Sequence, residues 1–207
     1  MEPAKKGLKN PAWPQWVQAA YHQNIDLCAT HMYPYNDDVK AYNIFGATVC
    51  EVEVDLLTGQ YQILRVDIVE DAGKSMSPEI DIGQVEGAFV MGLGYWLTEY
   101  LLYDPETGKL LTNRTWNYKP PGAKDIPVDF RIQLRRNAPN PFGVLRSKAT
   151  GEPPLCMSCS VLFALRYALD SAHEEAGKPD EWYQMDLPAT VEHVFLASLT
   201  NINLFTF

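Results

Sequence analysis

The sequence predicts an α+β fold in which antiparallel strands pack with long buried helices. Two stretches, 49–55 and 60–70, alternate apolar and polar residues with the period of two that is typical of half-buried strands. Two others, 78–100 and 154–172, are long and apolar and follow helix-start residues. The chain has 207 residues, of which 46% are hydrophobic. This is enough to bury a core without disulfides.

Charge and cysteine content exclude several classes of protein. The formal net charge of −9 argues against nucleic-acid binding and against anionic membrane surfaces. No stretch approaches the ~18 apolar residues of a membrane span, and residues 1–16 lack the apolar region of a secretory signal. Four cysteines are too few for a disulfide scaffold, so we expect reduced thiols in a cytoplasmic protein.

The elements follow one another along a single predicted domain, residues 13–207, after a tail at 1–12 without periodicity. Trp13 and Pro14 open a short helix. Strands at 42–56 and 60–70 are joined by a hairpin turn at 57–59. The rest is predicted in order as follows: a second hairpin turn at 104–108, a loop at 113–127, a strand at 128–134 and a last helix at 188–199.

The helix predicted at 78–100 contains an unusual number of glycines. Gly83, Gly87, Gly92 and Gly94 fall within twelve residues, and each costs ~1 kcal/mol relative to alanine in a helix interior. Either the helix breaks near Gly92 or something offsets this cost. Gly83 and Gly87 share a face, with Gln84 beside them. Tight packing against another helix explains this bare strip, and so does a flat ligand lying on it.

A second notable feature is Glu152, which stands between Gly151 and two prolines at the start of the apolar stretch 154–172. A helix that is apolar all round is a buried helix, so this carboxylate should enter a core or its edge. The helix start favours the anion by ~0.3–1 kcal/mol, whereas full burial raises a carboxyl pKa by up to roughly 3–5 units. Glu152 is therefore either a helix cap or a proton acceptor.

The remaining chemistry-bearing residues carry weaker signals. Cys156 and Cys159 form a C-x-x-C at a helix start, which is compatible with a redox role, but two buried core thiols explain them better. The four histidines have no metal-ligand spacing, and we assign no metal ligands. Phosphate-loop, dinucleotide-binding and nucleophile-elbow motifs are absent from the sequence.

Two ordered motifs in this chain resemble the xanthine dehydrogenase and aldehyde oxidase family of molybdenum hydroxylases. The first comprises CEVEVD and LTG within 50–59, DIV at 67–69 and IDIGQVEGAF at 80–89. The second is SKATGEPPL at 147–155. The likeness runs from about residue 13 to about residue 197. It implies the C-terminal molybdopterin-binding domain of such an enzyme.

The resemblance implies roles for individual residues. Glu152 matches the family's catalytic glutamate, the general base in a hydroxylation that uses water-derived oxygen. Gln84 matches the glutamine whose amide contacts the molybdenum cofactor, and Thr150 matches a position whose backbone lies against that cofactor. Gly151 and Gly83 adjoin these residues and complete the expected cofactor-binding set.

The resemblance also implies partners, because other parts of the family's enzymes have no counterpart here. The molybdenum–molybdopterin cofactor would be shared with an upstream molybdenum domain or a full-length relative. FAD and 2Fe-2S clusters would belong only to the complete enzyme, a homodimer, since four scattered cysteines cannot hold two clusters. We expect a C-terminal piece that neither retains cofactor nor turns over substrate alone.

The substrate implied is a small aldehyde or an N-heterocycle. The loop at 113–127, with Trp116 and YKPPG at 118–122, leans towards the aldehyde oxidase branch. A non-catalytic module that only binds a partner is the alternative. The two hypotheses differ in whether Gln84 and Glu152 face one shared cavity.

Overall fold

The computed structural model describes residues 12–32, 40–178 and 182–200. The chain divides into two compact units, Met1–Val39 and Lys40–Phe207. In the first unit, helix α1, Trp13–His22, begins where the sequence predicts, with a proline in its first turn. The tail predicted at 1–12 lies outside the described residues except for Ala12.

The second unit is built on a three-stranded sheet in the order β1-β2-β3. Strands β1, Gly46–Val54, and β2, Tyr61–Glu70, pair antiparallel and form the predicted hairpin. In the turn, the Asp55 carboxylate accepts hydrogen bonds from the Leu57 amide and the Thr58 hydroxyl, and Gly59 adopts a φ of +71°. This left-handed conformation is one that glycine adopts without steric cost.

Strand β3, Asp129–Leu134, lies where the sequence predicts a strand but pairs parallel with β2. The sheet is therefore mixed, and the expectation of antiparallel strands holds only for the first hairpin. The reason is the connection: more than fifty residues, including a long helix, separate β2 from β3. Such a crossover returns the chain to the same end of the sheet, so the next strand runs parallel.

Six further helical segments lie in the described part of the second unit, one of them a single 3₁₀ turn at Val144–Arg146. Helix α2, Pro78–Leu93, continues into a π-helical turn, Gly94–Thr98, so it does not break at Gly92. Ser77 precedes α2 without a side-chain capping bond. Helices α3, Glu152–Met157, and α4, Cys159–Glu175, are separated at Ser158, and α5 spans Val191–Ala197. The predicted turn at 104–108 is present: the Gly108 amide donates to the Asp104 carbonyl, and an isolated antiparallel bridge joins Tyr103 to Leu110.

The hydrophobic core lies between the sheet and helices α2 and α4. Helix α2 packs beside β3, where the rings of Phe89 and Phe130 lie 5.3 Å apart, and α4 packs over β1. Each helix buries one stripe of apolar side chains against the sheet. The fully enclosed residues of the core, from the helices and from β2, include Val66, Ile68, Val85, Phe89, Leu93, Val161, Leu165 and Leu169.

The helical stretch from 152 to 175 is half-exposed, which corrects the prediction that it is buried on nearly every face. Val161, Leu165 and Leu169 are enclosed, but Phe163 and Tyr167 on the opposite face are 57% and 74% exposed. The sheet covers only one side of the helix, so the other apolar side has no cover within the described residues.

The same stretch, Glu152–Glu175, also has the length and composition of a membrane-crossing helix, with a mean hydropathy of 1.3 over eighteen residues. This corrects the expectation that no stretch approaches such a span. A core helix passes the same test, so this feature alone is a weak indication of a membrane. The buried stripe through Leu165 shows how α4 is used here: it packs on the sheet.

Candidate functional site

The segment that leads into Glu152 is fixed to the end of strand β2. Gly73 and Ser147 form an isolated antiparallel bridge, the Lys148 amide donates to the Ala72 carbonyl at 3.0 Å, and the Lys74 amide donates to the Arg146 carbonyl at 2.8 Å. Gly73 has a φ of +65°, and a β-carbon there would lie 2.7 Å from the Arg146 carbonyl oxygen. Only glycine satisfies both the conformation and the space.

A buried ion pair reinforces this attachment. The Lys148 ammonium lies 2.9 Å from a carboxylate oxygen of Asp71 and donates a second bond to the Asn43 carbonyl at 2.8 Å. Arg135 approaches the same carboxylate from the solvent side at 3.3 Å. Burial alone would raise the pKa of Asp71, but the bonds from Lys148 and the Gly73 amide outweigh burial and hold that pKa below its ordinary value.

The fold brings together the residues that the sequence analysis singled out on two distant stretches. Gln84 on α2 and Gly151 before α3 are neighbours, since a β-carbon on Gly151 would lie 3.7 Å from the Gln84 side-chain oxygen. Thr150 is buried and Glu152 is the first residue of α3. The glutamine and the glutamate therefore stand at one place, where α2 and α3 pack together.

The environment of Glu152 differs from the one expected from sequence. Its side chain is exposed, and within the described residues its carboxylate accepts no hydrogen bond. The predicted burial therefore does not occur in this chain. Glu152 is exposed although its neighbours Thr150 and Pro154 are buried. The capping alternative has no side-chain bond to support it either.

The four glycines of α2 and its π-helical end divide into two pairs. At Gly92 a β-carbon would collide with the Ser158 hydroxyl oxygen and lie 2.7 Å from the Leu155 carbonyl, and at Gly94 one would lie 2.8 Å from Pro121. These two are explained by tight packing. At Gly83 and Gly87 a β-carbon would meet nothing within 4 Å. The bare strip beside Gln84 therefore stays open to a ligand, and helix packing does not account for it.

One buried carboxyl in this region was missed from sequence. Glu70, the last residue of β2, is fully enclosed, and neither of its oxygens has a hydrogen-bond partner. Burial first, and then the charges of Asp81 and Asp71, raise the pKa of Glu70 to about 7. Period-two spacing was the available signal, because it places Glu70 on the same face as Val66 and Ile68.

A cavity of about 520 Å³ adjoins the ion pair and is lined by Asp71, Arg135 and Lys148 among others. The cysteines lie outside this arrangement. Cys156 is exposed and Cys159 is half-buried, so the prediction of two buried thiols is wrong for Cys156. The helix break at Ser158 turns Cys156 away from the core. Cys50 on β1 lies against the neighbouring Ser160 hydroxyl, and burial raises the pKa of its thiol. A cavity of about 830 Å³ lies elsewhere, lined by Tyr61 and His193 among others.

Comparison with known proteins places the whole arrangement in a family. The family model of the molybdopterin cofactor-binding domain matches residues 2–127, which include Gly83 and Gln84 but end before Thr150. Xanthine dehydrogenase/oxidase of Gallus gallus is 41% identical over 204 residues, and indole-3-acetaldehyde oxidase of Arabidopsis thaliana is 41% identical over 186 residues. These alignments cover 94% and 86% of the chain but only 15% and 14% of those relatives.

Solved structures agree with the sequence match. Quinoline 2-oxidoreductase from Pseudomonas putida 86 superposes with a TM-score of 0.64 and 27% identity, over 74% of this chain and 18% of that one. Aldehyde oxidoreductase from Desulfovibrio gigas shares the fold with a TM-score of 0.60 at 24% identity, over 76% of this chain and 16% of that one. The chain belongs to the molybdopterin cofactor-binding domain family of the molybdenum hydroxylases.

Proposed function

We propose that this chain supplies one wall of a molybdenum cofactor site and the general base of a hydroxylation, Glu152. Gln84, Thr150, Gly151 and Gly83 would contact the cofactor. The observation that carries the proposal is the contact between Gln84 and Gly151. The Gln84 side-chain oxygen would lie 3.7 Å from a β-carbon on Gly151, next to the bare strip formed by Gly83 and Gly87. Two stretches that are more than sixty residues apart converge on one exposed, unfilled surface.

The residues at this surface fit a flat, polar cofactor. Gly83 and Gly87 leave the helix backbone bare on one side, so a planar group can approach it closely. The Gln84 amide offers both donors and an acceptor, and no hydrogen bond within the described residues engages it. Thr150 and Gly151 present backbone groups next to this amide. Such a surface holds a ligand in two ways: the ligand lies close to the backbone, and one side chain, Gln84, orients it by hydrogen bonds.

The chain's own contribution to chemistry would be a proton acceptor on a fixed frame. The bound cofactor would supply the two-electron redox chemistry. Glu152 would accept a proton from the attacking oxygen, while the Gly151 turn and the attached segment 146–149 hold the carboxylate in place. Glu152 is exposed in this chain, and we infer that a second surface covers it and excludes water from the reacting groups.

A partner domain is therefore part of the proposal. The chain spans about 15% of the length of the curated relatives that it matches. We infer that an upstream molybdenum domain, or a full-length relative, covers Glu152 and the exposed face of α4 around Phe163 and Tyr167. Small aldehydes and N-heterocycles are the proposed substrates. Xanthine dehydrogenase relatives are 38–43% identical to this chain and indole-3-acetaldehyde oxidase is 41% identical, so sequence identity does not separate the two branches and the lean towards aldehydes stays a prediction.

The alternative is a non-catalytic module that binds a partner through its apolar face. The exposed position of Glu152 and the uncovered side of α4 favour it. The two functions share the partner surface and differ in whether the cofactor lies against Gln84.

Metal analysis distinguishes them. The chain is purified alone and after co-expression with the molybdenum-binding region of a relative, and molybdenum is quantified by mass spectrometry. We expect molybdenum only in the complex. Glu152→Gln should then retain the metal but lose at least about a hundredfold in aldehyde or heterocycle oxidation, since general base catalysis contributes that much. A stable complex without molybdenum would support the non-catalytic module.

A further inference from the structure

The strongest feature that the proposed function does not use is the buried pair Lys148–Asp71. The side chains of Lys148 and Asp71 are only 9% and 5% exposed, and the Lys148 ammonium lies over the Phe45 ring, 5.6 Å from its centre. Lysine and aspartate are almost never this buried unless paired. Burying both charges is costly, so a pair that only added stability could be replaced by apolar residues.

The position of this pair suggests what it does instead. Asp71 directly follows β2, the central strand of the sheet, and Lys148 stands four residues before Glu152. Two backbone hydrogen bonds join the segments that carry this pair: the Lys148 amide donates to the Ala72 carbonyl, and the Lys74 amide donates to the Arg146 carbonyl. In addition, the Ala149 amide donates to the Tyr42 hydroxyl. Every one of these bonds acts on the backbone that enters Thr150 and Gly151.

We propose that Lys148, held by Asp71, is a positioning residue that fixes the segment 147–152 to the sheet and so sets the place of Glu152 relative to Gln84. The alternative is a pair that compensates charge and has no influence on this segment. The inference rests on the proposed function for its catalytic meaning, but its structural content is tested on the chain alone.

The test is backbone hydrogen exchange, measured by mass spectrometry on the full chain. Lys148→Met removes the charge and keeps most of the apolar stem. We expect exchange of the amides in 147–152 to rise by about tenfold or more, while β1 and α4 keep their rates. Asp71→Asn keeps the volume of its side chain and should raise exchange in the same segment, which covers the case in which Lys148→Met fails to fold.

The double variant Lys148→Met with Asp71→Asn separates positioning from charge compensation. Each single variant leaves one buried charge without its partner, and the double variant removes that charge as well. The free energy of unfolding should therefore recover towards that of the parent chain. Exchange in 147–152 should stay raised, because the anchor is still absent. Arg131→Met is the matched control, since it breaks an exposed pair with Asp129 on the same sheet and should leave this segment unchanged.

Three results would overturn the inference: unchanged exchange of 147–152 in a folded Lys148→Met variant, recovery of both stability and exchange in the double variant, or an equal effect of Arg131→Met. In the complex with an upstream domain, the inference further predicts that Lys148→Met lowers kcat more than it raises KM and retains molybdenum. Failure of the complex to bind molybdenum would overturn the proposed function and leave the exchange result standing.

Discussion

At the scale of single residues, Glu70 is a buried carboxyl that is costly to the fold. It continues the buried face of Val66 and Ile68 at the end of β2, and neither of its oxygens finds a donor among the described residues. Asp81 on α2 and Asp71 beside it add negative charge, while the cations nearby, Lys148 and Arg135, bond to Asp71. The neutral acid is therefore the form that suits this site.

This environment predicts a specific dependence of stability on pH. Because the folded pKa of Glu70, about 7, lies above the ordinary 4.5, the folded chain binds a proton that the unfolded chain has lost between these values. The contribution of Glu70 to stability is then fully present below pH 4.5 and is lost as the pH rises through about 7. Glu70→Gln should remove this loss of stability. The free energy of unfolding of the variant, relative to that of the parent chain, should therefore increase by about 2–3 kcal/mol between pH 5 and pH 8.

Denaturant unfolding at the two pH values measures this difference. Glu53→Gln is the control, because Glu53 lies on the exposed face of β1 and its substitution should change little at either pH. A constant difference between the parent and Glu70→Gln across this range would show that Glu70 is ionised or hydrated in the folded chain.

At the scale of elements, helix α2 uses glycine for two different purposes. Gly92 lets the helix pack directly on the α3–α4 junction, where the Ser158 hydroxyl accepts a bond from Trp96 at 3.0 Å and donates one to the Leu155 carbonyl at 2.6 Å. Gly83 and Gly87 lie in open space beside Gln84. Gly92 therefore serves the packing of the fold, and we assign Gly83 and Gly87 to the proposed cofactor surface.

Alanine substitutions separate these two purposes. Gly92→Ala should destabilise the chain by about 1–3 kcal/mol despite the better helix propensity of alanine, because the added methyl group meets backbone and a buried hydroxyl. Gly87→Ala should instead stabilise the isolated chain by roughly 0.5–1 kcal/mol. Thermal unfolding of both variants gives this comparison, with each serving as the control for the other.

The same Gly87→Ala variant should reduce molybdenum retention in the complex with an upstream domain, since the methyl group would occupy the surface proposed for the cofactor. Metal content per chain measures this effect. Full retention by a stabilised Gly87→Ala variant would place the cofactor away from the strip.

At the scale of the whole molecule, the second unit covers its sheet with one layer of helices and leaves the outer side of α4 apolar. Phe163, Tyr167 and Leu155 are exposed on and before this helix. Contiguous apolar surface of this kind marks interaction sites in soluble proteins and aggregation sites in incomplete ones. In the proposed complex the upstream domain lies against this surface.

Phe163→Asp tests the surface. We expect the isolated chain to lose no more than about 1 kcal/mol of unfolding free energy, because the side chain is largely exposed, while co-purification of the upstream domain falls sharply. Leu57→Asp is the control, since Leu57 is an equally exposed apolar residue in the β1–β2 turn. Equal losses of binding in both variants would mean a non-specific apolar contact.

Local patterns were sufficient for much of the fold. Period-two alternation and the turn residues at 57–59 predicted the first hairpin, and the start of α1 and the presence of α2 followed from proline and from helical spacing. The two stretches singled out from sequence do meet, since Gln84 lies next to Gly151. The roles of Gln84, Thr150 and Glu152 in cofactor binding and catalysis stay predictions.

Most of the elements, the family and the candidate residues could be predicted, because these depend on spacing within one stretch or on motifs. The parallel pairing of β3, the exposure of Glu152 and the contact of Lys148 with Asp71 across 77 positions could not. The physical reason is that pairing direction, burial and ion pairing depend on which distant segments pack together. A local pattern of residues does not contain that information.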